Sequence, residues 1–245
     1  MPVRKVRNIA AYIDALRADQ DGSARWFRGH GNAKWPLLPG IMRSRPGLSE
    51  ASALARFKQS AAMLTERTPS SAFDWTFLMQ HYGVPTRLLD WTESPLVAMF
   101  FAVDNFDKHR NADAAVWCLN PTLLNKNASI SNAMELNYIP SFEADELKPY
   151  ATEKLNVPNV ELLPVATIAT RNNPRIQAQL GTFTIHHTKK VAIEAVGDKS
   201  HATKYVIPSA SRETIKKELK LLGLNQFSMF PELTSVGAIL REMMA

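Results

Sequence analysis

One cysteine among 245 residues rules out an intrachain disulfide. Cys118 lies inside the apolar run Ala114-Ala115-Val116-Trp117-Cys118-Leu119, the setting of a buried, inert thiol in a reducing compartment. Long hydrophobic runs are also missing. The longest, Pro95 to Val103, falls well short of the roughly 20 residues a bilayer span needs. The first residues carry positive charge with no apolar segment behind them, which argues against a secretory signal. A cytoplasmic protein without membrane association is therefore expected. The chain has no HExxH pair, no paired Cys/His spacing and no acidic cluster of the two-metal kind, so no metal site is expected. It has no P-loop, GxGxxG, helix-turn-helix, zinc-finger or RNP pattern, which sets aside the usual ATP, dinucleotide and nucleic-acid modules.

What the chain does have is apolar material, at 45%, with 21% charged residues. That balance fits a single folded domain over residues 1–245. The net charge is +6, which favours anionic partners: nucleotide phosphates, nucleic acid or an acidic protein. The Lys and Arg are scattered. Lys216, Lys217 and Lys220 recur at helical spacing and read as a solvated helix face.

Val6, Ile9, Ile13 and Leu16 recur at steps of three and four and predict a first amphipathic helix. Arg25 to Gly29 predicts a strand that ends in a glycine turn. The prolines of Trp35 to Gly40 predict a loop. Helices are expected over Ser49–Arg67 with Ser49 as cap, over Asp74–Tyr82 with Gly83 beyond its end, and from Ser94-Pro95 through a body apolar on every side. Arg87 to Trp91 is strand-like. Further strands are expected at Ala114–Leu119, Leu162–Ile168, Gly181–His186, Val191–Ala195 and Lys204–Ile207. Residues 123–158, rich in Asn and Pro, read as an insertion with short helices. One helix follows Pro208 and stops at Gly223; a last one begins near Thr234. Helices first, then strands mixed with helices, predict an α+β fold with a mixed or antiparallel central sheet.

Arg28, Gln80, His81, Arg87, Asp90, Thr92, Arg175 and Gln179 are polar residues set beside apolar or turn-forming ones. A buried guanidinium is costly unless paired, so such a set is either an ion-pair network or an anion site. Arg87 with Asp90 would make an internal salt bridge. Arg presents a fork that suits phosphate, and Trp26, Phe27, Tyr82 and Trp91 could stack on rings. Trp35 and Trp91 read more readily as core than as stacking platforms.

Four segments carry a resemblance. They are Trp26-Phe27-Arg28-Gly29-His30 with Trp35-Pro36-Leu37 and Ile41-Met42-Arg43; Met79 to Thr92; Asn173-Pro174-Arg175-Ile176 with Gln179, Gly181 and Phe183; and Gly223 with Phe230-Pro231-Glu232-Leu233. Together they resemble the FRG domain family, whose members look like toxins or phage-defence effectors. The order of parts is also similar to that of ADP-ribosyltransferases, which implies a split sheet and a cleft for NAD. In that likeness Arg28 holds the dinucleotide, and Thr92 and Ser94 shape the nicotinamide pocket. Gln177 and Gln179 stand at the third motif, where the fold uses a carboxylate; Asp90 or Glu194 would then supply the charge. The site expected on this basis has Arg28, His81, Asp90, Thr92 and Gln179 for chemistry. Phe27, Arg28, Gly29, Tyr82, Arg87, Trp91 and Arg175 would bind the ligand. NAD is the expected substrate, with a protein or nucleic acid as acceptor and a neutralising partner protein conceivable. Two other readings remain open. One is a metal-independent RNase or phosphodiesterase using His81 or His30. The other is a nucleotide- or nucleic-acid-binding module without turnover.

Overall fold

The computed structural model describes residues 1–43, 47–65, 68–104, 107–109, 111–130, 135, 137–155, 162–168 and 173–244. In chain order the elements are β1 (Val3–Lys5), α1 (Ile9–Ala18), β2 (Trp26–His30), α2 (Gly40–Arg43), α3 (Glu50–Ala61), α4 (Ala72–His81), β3 (Leu88–Thr92), α5 (Pro95–Asp104), β4 (Ala114–Leu119) and α6 (Pro121–Asn127). Then come β5 (Val165–Thr167), α7 (Pro174–Ala178), β6 (Gly181–Ile185), β7 (Ala202–Ile207), α8 (Arg212–Leu221), α9 (Gln226–Met229) and α10 (Leu233–Met244). The seven strands form one mixed sheet in the order β1-β7-β4-β2-β3-β6-β5. Every pairing is antiparallel except β1 with β7. This is the α+β class the element order predicted.

The caps explain where several helices start. Ser49 and Asn173 each accept a backbone N–H at the heads of α3 and α7, and Ser71 with Asp74 closes a capping box on α4. The apolar helix α5 is buried along most of its length against β2 and β4. Its closeness to β2 explains Gly29. A Cβ there would lie 2.0 Å from the Ala98 carbonyl oxygen and 2.5 Å from the Ala102 nitrogen, so only glycine fits.

The sheet has a seam. β2 pairs with β4 along its full length, from Trp26↔Leu119 to His30↔Ala115, and β3 pairs with β6 from Leu88↔Ile185 to Thr92↔Gly181. Between β2 and β3 the only pair is Phe27↔Thr92. The strands diverge beyond it. On either side lie separate apolar clusters: one joins α1, α5 and α8 to β2, β4 and β7, and the other joins Phe73 and Phe77 of α4 to β3, β5 and β6. A third cluster, with Trp26, Leu89, Trp91 and Trp117, spans both halves.

Some expectations change. Val191–Ala195 is not a strand; its only regular part is a 3-10 turn at Ile193–Ala195, whose Ile193 N–H donates to the Leu37 carbonyl. β1, before the first helix, pairs through the backbone with β7 and buries none of its three residues, so no apolar pattern marks it. The helix expected to run to Arg67 ends at Ala61, and Arg67 lies outside the described residues. From the 123–158 stretch, Leu124, Leu147 and Tyr150 enter the core clusters. Cys118 is buried, and burial pushes its thiol up to about 12. Among the described residues no helix is long and apolar enough to cross a membrane.

Candidate functional site

A cleft of about 320 Å³ opens where β2 and β3 part. That is within the range of small-molecule sites. β2 and the loop after it give Phe27, Arg28, Gly29, His30, Gly31 and Trp35, and α2 gives Arg43. α4 contributes Phe77, Gln80 and His81; β3 contributes Asp90, Trp91 and Thr92; α5 contributes Ala98 and Phe101. The remaining wall is His109, Arg175, Ile176, Gln179, Gly181 and Phe183. Three guanidinium groups thus face one carboxylate, among aromatic rings.

Arg28 spans the seam. Its Nη1 donates to the Asp90 backbone carbonyl at 2.6 Å and stands 3.7 Å from the Asp90 carboxylate. A side chain therefore takes over where the strand ladder stops. Its Nε donates to His30 Nε2 at 3.2 Å. An imidazole nitrogen that accepts must be unprotonated, and the electrostatics agree. Burial, with the charges of Arg28 and Arg43, holds His30 down to about 2. Burial likewise lowers Arg28 itself, against the pull of Asp90. On the other side of Asp90, Gln80 Nε2 donates to Oδ1 while its Oε1 accepts from the Thr86 hydroxyl. Thr86 thus fixes which way the amide faces, and the amide fixes the carboxylate. Asp90 keeps a side chain 61% exposed against 17% for Arg28.

Residues 23–113 match the family model of the FRG domain. That stretch is identified as an FRG domain. No curated protein and no solved structure matches the chain. The matched stretch holds Arg28, Arg43, Gln80, His81, Asp90 and Thr92, the residues of the seam itself. Arg175, Gln179 and Phe183 reach the FRG cleft from outside it.

Of the residues expected at the site, Phe27, Arg28, Gly29, His81, Asp90, Trp91, Thr92, Arg175 and Gln179 line the cleft. Several are held by structure as they do so. The Thr92 hydroxyl donates to the Gln179 carbonyl at 2.6 Å and accepts from Ser94 N–H. Gln179 Nε2 donates to the Met229 carbonyl. These two residues therefore tie the cleft wall together. Trp91 is 3% exposed and its indole N–H donates to the Thr184 hydroxyl; Phe27 belongs to the core under α5. Arg175 lays its guanidinium 4.7 Å from the Phe230 ring centre. His81 is half-buried beside it, and burial together with Arg175 lowers its pKa despite Glu232.

Arg87 and Tyr82 are not in the cleft. Arg87 is buried and pairs with the buried Glu50, not with Asp90. Its other nitrogens donate to the carbonyls of His186 and Tyr150, each at 2.7 Å. All three of its side-chain nitrogens are engaged within the fold, and the group is buried away from the cleft. The salt bridge expected for Asp90 belongs to Arg28 instead. Tyr82 caps α4 and is 69% exposed, its ring edge-on to His81. Glu194 lies elsewhere too, with its carboxylate accepting the Leu37 N–H. Sequence reasoning missed Arg43, His109, Phe77 and Phe101. Arg43 stood within the quoted Ile41-Met42-Arg43 segment, but nothing local marks which of these side chains turns inward.

Proposed function

We propose that this FRG domain binds NAD in the seam cleft and transfers its ADP-ribosyl group to an acceptor nucleophile. The observation that carries the reading is the meeting of Arg28, Asp90 and Arg175 with aromatic walls in one cleft, on three segments far apart in sequence. β2, β3 and β6, near which the three parts of that likeness lie, are neighbours in the sheet.

The chemistry follows from the charges. Nicotinamide leaves with the electron pair of its glycosidic bond, and the ribosyl carbon becomes cationic. With Gln179 tied to Met229, the carboxylate available to face that cation is Asp90, held as an acceptor by Gln80. The acceptor then bonds to the same carbon and gives its proton to His81, whose lowered pKa keeps a free base near neutrality. His30, held down to about 2, stays neutral and does not supply the general acid that the RNase reading could ask of it.

The test is release of nicotinamide from labelled NAD in the presence of protein and nucleic-acid acceptors. Wild type is expected to release it above buffer. Asp90→Asn is expected to lower the rate by about 10²-fold or more, the scale for one charge-stabilising group. Equal background release by both, with no binding of NAD by calorimetry, overturns the proposal. Breakdown of RNA in the same mixture would favour the phosphodiesterase reading.

A further inference from the structure

Arg43 stands out among the cleft cations. It closes α2, a single turn docked on the loop before β3: the Ile41 N–H reaches the Thr86 carbonyl, and Gly40 sits against Pro85, where an added Cβ would meet the proline Cβ at 3.4 Å. The segment is therefore held in place by the same Val84-Pro85-Thr86 loop that orients Gln80. Its guanidinium lines the cleft, is exposed, and makes no hydrogen bond or ion pair among the described residues. Arg28 is its neighbour. Nε and Nη1 of Arg28 are committed to His30 and Asp90, while Nη2 has no hydrogen bond among the described residues. The positive charge of Arg43 bears on both Arg28 and His30. A second guanidinium set close to the first, with Asp90 already shared between Arg28 and Gln80, is costly in an empty cleft. It gains when a doubly charged anion lies between the two.

We infer that Arg43 and the Nη2 side of Arg28 form a two-armed clamp for a diphosphate group, and that Arg43 makes the cleft select diphosphate-bearing nucleotides over monophosphates. This rests on the proposed NAD reading for its biological ligand, since NAD carries its two phosphates in the middle. The clamp itself needs no NAD. One phosphate takes Arg28 and the other takes Arg43. Trp35, edge-on to His109 at 4.9 Å and to the Arg28-bonded His30 at 6.1 Å, lines the same cleft and offers an aromatic face to a nucleotide ring.

Binding of inorganic pyrophosphate, orthophosphate, ADP and AMP, measured by calorimetry at low salt, tests the clamp. Pyrophosphate and ADP are expected to bind at least about tenfold more tightly than orthophosphate and AMP, a difference of about 1.4 kcal/mol. Arg43→Gln should erase that preference, and Arg43→Lys should restore part of it. Arg7→Gln, an exposed charge change beside α1, should leave it intact. Thermal melting of unliganded Arg43→Gln should match wild type, which shows that lost binding is not lost folding. Equal affinity for the mono- and diphosphates, or an Arg43→Gln protein that binds pyrophosphate as wild type does, overturns the inference. If pyrophosphate binds with the expected preference but no nicotinamide is released, the clamp stands and the transferase reading falls.

Discussion

Two arginines, one on β2 and one just ahead of the adjoining β3, meet opposite fates. Arg87, just ahead of β3, is sealed among Glu50, the His186 carbonyl and the Tyr150 carbonyl. Arg28, on β2, is braced along one edge and open along the other. Both looked from sequence like anion binders. The difference lies in where the acid comes from. Glu50 is the first residue of α3, brought to Arg87 by the fold across 37 positions. Arg28 meets only Asp90, which is mostly exposed and already shared with Gln80. A satisfied guanidinium holds structure, and an under-satisfied one at a seam is free to hold a ligand.

Breaking each pair should separate these roles sharply. Glu50→Ala leaves the Arg87 charge buried without its partner, and such losses cost about 3–5 kcal/mol. Asp90→Asn removes a pair whose acid is largely solvated, and the expected cost is about 1 kcal/mol or less. Denaturant titration of both variants checks this. Equal losses would mean that Arg28 is as deeply committed to the fold as Arg87.

A smaller effect distinguishes the two regions by pH. Each has a buried imidazole: His30 beside Arg28, pushed to about 2, and His186 beside Arg87, pushed to about 4 mainly by burial. Both start from 6.5 in the unfolded chain. Between the two values the unfolded state binds a proton that the folded state refuses, so stability falls as pH drops below about 6.5. Each ring contributes about 1.4 kcal/mol per pH unit to that slope. The His186 contribution levels off near 4, while that of His30 continues below it. Replacing either ring with glutamine should flatten the stability profile between pH 6.5 and 4.5 by that amount. An unchanged slope would show that the ring takes up its proton within the fold.

What was legible in the sequence was local. The 3.6-residue pattern, the serine and asparagine caps and the glycine turns placed most helices, and apolar runs placed β4 and β6. The membership of the cleft was partly legible, because strand-end residues before turns tend to point into openings. Whether a residue is spent on structure was not. Nothing near Arg87 reveals that Glu50 will reach it, and nothing near Thr92 reveals that the Gln179 carbonyl will take its hydroxyl. Those are long-range contacts set by sheet order. Val191–Ala195 misled for a related reason: an alternating apolar pattern also suits a 3-10 turn that presses Ile193 and Val196 into the core.

The smallest expected effect concerns Tyr82. Its place between His81 and Gly83 in the FRG signature suggested a stacking ring, yet the side chain is 69% exposed and outside the cleft wall. Its neighbours are the edge of His81 and the tilted ring of Phe57, 6.5 Å away. Exposed substitutions that remove no cap bond or buried contact stay within about 0.5 kcal/mol. The cap bonds of Tyr82 come from its backbone N–H, which alanine keeps. Tyr82→Ala should therefore leave both the melting temperature and the affinity for pyrophosphate close to wild type. A large loss of ligand affinity would move the site boundary outward past His81. The ligand would then extend over the rim of α4 instead of ending within the seam.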